Sequence, residues 1–129
     1  MKRTTTTLVV ISCAAALALP LGAEEFTNNI AFERGHNSSI VHGSVLRGDR
    51  DVYVVRVRAG QVMSVKATAL EHNVAFSIFE PKATEAIPGA DDENDLTEWS
   101  GTLTKSGAYR IFVGGTRGNA TYTLQVSVK

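Results

Sequence analysis

Apolar residues recur at every second position in run after run of this chain, and no stretch beyond the N-terminal segment recurs convincingly at the helical period. From Tyr109 to Val113, Tyr109, Ile111 and Val113 share one side, while Arg110 and Phe112 take the other. Val52 to Arg58 places Tyr53, Val55 and Val57 on one face. Val62 to Leu70 does the same with Met63, Val65, Ala67 and Ala69, and Thr121 to Val128 with Tyr122, Leu124, Val126 and Val128. Successive side chains leave a strand on opposite sides, so a period of two marks a strand with one buried face. Shorter runs at Ile30 to Phe32, Ser39 to Leu46, Val74 to Phe79 and Leu96 to Leu103 bring the set to about seven or eight strands. That pattern predicts an all-β chain folded as a small antiparallel β-sandwich.

The predicted core is Tyr53, Val55, Val57, Met63, Val65, Phe76, Ile78, Tyr109, Ile111, Val113, Tyr122, Leu124 and Val126. Ala59-Gly60-Gln61 reads as a tight turn closing a β-hairpin between the runs on either side of it. Lys82 to Asp95 has no period and much polarity, and reads as the longest loop.

The first residues form a separate unit. Met1-Lys2-Arg3 is a short basic start, Leu8 to Leu19 an apolar run too short to span a membrane, and Pro20-Leu21-Gly22-Ala23 a cleavage region. This is the three-part form of a secretory signal over residues 1–23, followed by a single domain over residues 24–129. Val10-Ile11-Ser12-Cys13 also looks like a lipoprotein processing box, in which Cys13 would carry lipid. Ordinary cleavage is the favoured reading, because the apolar run continues past Cys13. An exported domain cut after Ala23 has no cysteine and rests on sheet packing alone.

Without Lys2 and Arg3 the domain holds 11 cations against 13 anions. Such a balance provides no basic excess for nucleic acid and no polybasic patch for a lipid surface, so a membrane is expected only if Cys13 is lipidated. His36, His42 and His72 fall in separate turns or strand ends, and no Gly-x-Ser-x-Gly elbow or exported cysteine is present. A non-enzyme with no cofactor is expected. Asp91, Asp92, Glu93 and Asp95 are weak candidates for Ca²⁺, although their spacing does not match an EF-hand and a solvated acidic loop is the commoner outcome. Two glycosylation sequons, at Asn37 and Asn119, matter only in a eukaryotic secretory route.

The strand at Tyr109 to Val113 lies between two polar loops. Thr104-Lys105-Ser106-Gly107 precedes it, and Gly114-Gly115-Thr116-Arg117-Gly118-Asn119 follows. Loops at the edge of a rigid scaffold are the usual place for binding residues.

Asp51-Val52-Tyr53, Arg58-Ala59-Gly60-Gln61-Val62, Ser106-Gly107-Ala108-Tyr109 and Tyr122-Thr123-Leu124 resemble the bacterial pre-peptidase C-terminal (PPC-type) sandwich. Phe32-Glu33-Arg34-Gly35-His36-Asn37-Ser38-Ser39, with Gly43-Ser44-Val45 and Gly48, resembles more closely the periplasmic proteins that inhibit goose-type lysozyme. The resemblance implies a PPC-like, jelly-roll-like sandwich and a lysozyme partner. It also implies inhibition by a loop that enters the enzyme's substrate cleft and sets hydroxyl and guanidinium groups against the catalytic carboxylate. By position it assigns contact to Ser106, Gly107, Tyr109 and Arg117, with Arg50 in the place of an aromatic contact residue of relatives. Ser-Gly-x-Tyr taken alone is also a turn feeding a strand whose Tyr packs in the core. The loop Gly114 to Thr121 is shorter and less basic than in the family, which leaves the lysozyme class open. The alternative is a PPC-like exported module that binds a glycan or protein without inhibiting anything. For one groove to receive both Ser106 and Arg117, these two residues must lie at the same end of the fold.

Overall fold

A computed structural model describes residues 25–129. The expected signal segment and Cys13 lie outside the described residues. Eight strands follow one another: β1 Glu25–Ile30, β2 Ser38–Val45, β3 Arg50–Val57, β4 Val62–Ala69, β5 Val74–Phe79, β6 Glu98–Thr102, β7 Gly107–Gly115 and β8 Ala120–Val128. Two four-stranded sheets stack face to face, in the orders β1-β3-β7-β5 and β2-β8-β4-β6. Every pair is antiparallel except β1 and β3, which run parallel.

Every residue of the predicted core is buried, and Val55, Met63, Ile78, Ile111, Val113, Leu124 and Val126 are fully enclosed, whereas Ala69, on the same face as Met63, is only half-buried. β8 shows the reason most clearly: from Ala120 to Val128, buried positions alternate with exposed or half-buried ones without a break. Each such side chain contributes roughly 1.5–3 kcal/mol by leaving water.

The expected hairpin between β3 and β4 does not form, because the two strands belong to different sheets. Their inward residues meet across the core instead of side by side. The turn between them is held by β6's end: Gly60 N donates to Leu103 O at 2.7 Å, and Leu103 N to Gln61 O at 2.7 Å. Gln61 Oε1 accepts from Arg58 N at 2.7 Å, which closes the corner. The first strand also runs earlier than Ile30 to Phe32, ending at Ile30. The long loop is partly ordered by β5. Ile78 N donates to Ala90 O, Ile87 N to Ile78 O and Phe76 N to Leu96 O, so the loop shields that sheet edge.

Candidate functional site

β7 separates the two loops singled out from the sequence. Gly107 pairs with Val57 at one end of the sheet, and Gly114 pairs with Arg50 at the other. At about 3.4 Å per residue, the nine residues of β7 hold Ser106 and Arg117 roughly 30 Å apart. The two stand at opposite ends of the sandwich, so a single groove receiving both is ruled out.

At the first end, Ser106 Oγ accepts from Ala59 N at 2.8 Å, which fastens the β6–β7 turn to the β3–β4 turn. Gly107 has φ +138°, and a Cβ there would lie 3.0 Å from Pro81 Cγ. Tyr109 is 1 % exposed and offers no surface to a partner. Its hydroxyl accepts from Lys105 N at 3.3 Å and donates to Lys105 O at 3.1 Å, bracing the turn ahead of its own strand. Lys105 Nζ reaches Glu80 Oε2 at 2.9 Å, and that carboxylate raises the lysine's pKa. Ser-Gly-x-Tyr therefore works as a clasp, and the contact role expected for Tyr109 is corrected by its burial.

The other end is a rim of three turns, β2–β3, β4–β5 and β7–β8, tied together through asparagines. Asn119 Oδ1 accepts from Arg47 N at 2.7 Å, and Asn119 O accepts from Asn73 Nδ2 at 2.7 Å. Asn73 is itself buried, and its carbonyl accepts from Thr116 N at 2.8 Å. Arg117 is exposed and donates one bond, at 2.9 Å, to Glu71 O. A guanidinium carries five donors in a planar fork, so this bond orients Arg117 and leaves donors facing outward.

On the neighbouring outer sheet face, the Arg50 guanidinium lies 4.8 Å from the centre of the Phe112 ring, a cation–π contact. The Arg110 guanidinium lies 5.7 Å from the centre of the Phe112 ring and 5.3 Å from that of Phe79. Arg50 also lines a groove of about 230 Å³ with Gly48, Thr116, Asp92 and Asp95. Arg50 and the turn bearing Arg117 thus share one end of the molecule. Sequence reasoning missed the two asparagines that weld this rim; an Asn at each strand end was the only signal, and an Asn there is also ordinary turn chemistry.

The acidic loop has a structural use. Asp91 Oδ1 accepts from Glu93 N at 3.1 Å and from Asn94 Nδ2 at 2.6 Å, capping the 3₁₀ turn Asp92–Asn94. Among the described residues, no three His, Cys, Asp or Glu side chains converge as a metal site. His36, His42 and His72 are exposed at scattered positions, and His42 Nδ1 is hydrogen-bonded to Thr123 Oγ1 at 3.0 Å.

No family model and no curated protein sequence matches the chain. Solved structures do. Aeromonas hydrophila PliG, a periplasmic lysozyme inhibitor of g-type lysozyme, is 29 % identical with a TM-score of 0.70, over 84 % of this chain and 100 % of that one. Salmonella Typhimurium PliG is 22 % identical with a TM-score of 0.65, over 81 % of this chain and 98 % of that one. The pre-peptidase C-terminal domain of a Bacillus anthracis collagenase is 18 % identical with a TM-score of 0.52, over 83 % of this chain and 96 % of that one. The last two likenesses concern the fold alone. The architecture is that of the PPC-like β-sandwiches, here with a rim of welded turns at one end. Within that group the chain resembles the periplasmic inhibitors of g-type lysozyme, which are inhibitor proteins and not enzymes.

Proposed function

We propose that this protein is a periplasmic inhibitor of lysozyme, of goose type, which docks through the rim that bears Arg50 and Arg117. The observation that carries the reading is the likeness to the Aeromonas inhibitor, 29 % identical over that protein's full length. The rim supports it physically. Arg117 is aimed by its bond to Glu71 O, and a guanidinium fork suits the catalytic carboxylate of a muralytic enzyme. A charge-assisted pair of this kind is strong once the partner's cleft excludes water. Turns fastened by Asn73 and Asn119 lose little entropy on docking. Ser106 and Gly107 belong to the far end and serve the scaffold.

The test is a cell-wall lysis assay with the mature protein against goose-, chicken- and invertebrate-type lysozymes. Slowed lysis by the goose-type enzyme is expected. Unchanged rates with all three at micromolar excess would overturn the reading; binding to glycan beads without inhibition would replace it with a non-inhibitory exported module.

A further inference from the structure

We infer that Leu70, supported by Leu46, is an apolar anchor that seats in the lysozyme partner beside Arg117. The inference rests on the inhibitor reading above. Among the described residues, five large apolar side chains are exposed, and three of them belong to the Arg117 end: Leu70 at 99 %, Leu46 at 62 % and Phe26 at 57 %. The other two lie away from it. Val62 pairs with Thr102 near the Ser106 end, and Ile40 pairs with Gln125 within a sheet.

One exposed leucine is ordinary on a protein surface. Leu70 differs because its turn is rigid and is joined to the docking cation. His72 N donates to Ala69 O at 3.1 Å, His72 holds φ +52°, and Arg117 bonds the carbonyl of Glu71, the residue next to Leu70. Neighbouring Cα atoms are about 3.8 Å apart, and a stable interface covers roughly 800 Å² on each partner. A partner that takes the Arg117 guanidinium therefore also covers Leu70. An arginine hot spot depends on surrounding contacts that exclude water from its ion pair. A leucine as exposed as Leu70 adds roughly 1.5–3 kcal/mol of its own when a partner buries it, which is about tenfold or more in the inhibition constant. Leu46 extends the same surface on the β2–β3 turn, whose backbone Asn119 holds through Arg47 N.

The test compares Leu70→Ser and Leu46→Ser with Ile40→Ser and Val62→Ser, measuring the inhibition constant against goose-type lysozyme and the Tm of each variant. Leu70→Ser should raise the inhibition constant about tenfold or more, Leu46→Ser less, and the two controls under about twofold. The strand controls Ile40→Ser and Val62→Ser should lower Tm by at least as much as Leu70→Ser does. If the wild type inhibits and Leu70→Ser matches the controls, the anchor is overturned while the inhibitor reading stands. A wild type that neither binds nor inhibits any lysozyme overturns both.

Discussion

The Tyr122 hydroxyl donates to the Asp51 carboxylate across the core, and this bond joins β8 of one sheet to β3 of the other. Tyr53 Oη lies 2.6 Å from Tyr122 Oη. Because Tyr122 spends its one proton on Asp51, Tyr53 must donate to Tyr122. The two rings meet edge to face with centroids 6.4 Å apart. Asp51 is 7 % exposed, so its carboxylate depends on this relay in place of water. It also follows Arg50 in the chain, so the relay fixes the backbone from which that side chain departs. Tyr122→Phe should cost about 3 kcal/mol, because a buried carboxylate loses its donor. Tyr53→Phe should cost about 1 kcal/mol. Urea unfolding at neutral pH, read as a shift in midpoint at constant slope, checks both.

The same relay makes the fold sensitive to alkali. Burial first, and then the bonds to Asp51 and Tyr53, push the Tyr122 pKa far above the ordinary tyrosine value, and burial raises that of Tyr53. Unfolded tyrosines lose their protons near pH 10, whereas the folded pair holds them to higher pH, Tyr122 above all. Above that pH the unfolded chain binds fewer protons, so stability is intact below about pH 10 and falls as the pH rises. The fall is at most about 1.4 kcal/mol per pH unit for each retained proton. Unfolding free energies at pH 9 and pH 11 should drop more for the wild type than for Tyr122→Phe. Equal drops would show that Tyr122 titrates normally.

Gly43 leaves the space in which Tyr122 lies. A Cβ at this position would overlap the tyrosine hydroxyl and lie 3.0 Å from its Cε1. Gly43→Ala must then push Tyr122 off Asp51. We expect a loss of about 2 kcal/mol, or roughly 10 °C in Tm by thermal unfolding.

The two ends of β7 should respond oppositely to truncation. Ser106→Ala removes the acceptor for Ala59 N and should cost about 1 kcal/mol of stability, with inhibition of goose-type lysozyme unchanged. Arg117→Ala should leave Tm within a few degrees yet weaken inhibition about tenfold or more. Arg50→Ala should weaken it in the same direction. Lysis assays and melting curves on the same preparations separate the two effects.

Calcium should make no difference to stability. Asp91 already accepts two internal bonds, so Tm with chelator and with millimolar Ca²⁺ should agree. A rise with Ca²⁺ would mean that the 91–95 loop closes on a cation in the native state alone.

Much of this protein was legible in the residue order. Alternation in the runs around Tyr53, Met63, Ile111 and Leu124 identified the core, because a strand turns each successive side chain to the opposite face. It also held the separation of Ser106 from Arg117, since a strand between two turns sends them to opposite ends. What alternation does not carry is which strands lie side by side. Inward residues look the same whether β3 and β4 pair within one sheet or face each other across two, and only the bonds from Leu103 to the β3–β4 turn reveal the second arrangement. Local pattern likewise gave no sign that Asn119, Asn73 and Arg117 would knit three distant turns into one rim, or that Asp51 would find Tyr122 seventy-one positions later. Periodicity assigns a side chain to a face, whereas a partner far along the chain is chosen only when the sheets close over the core.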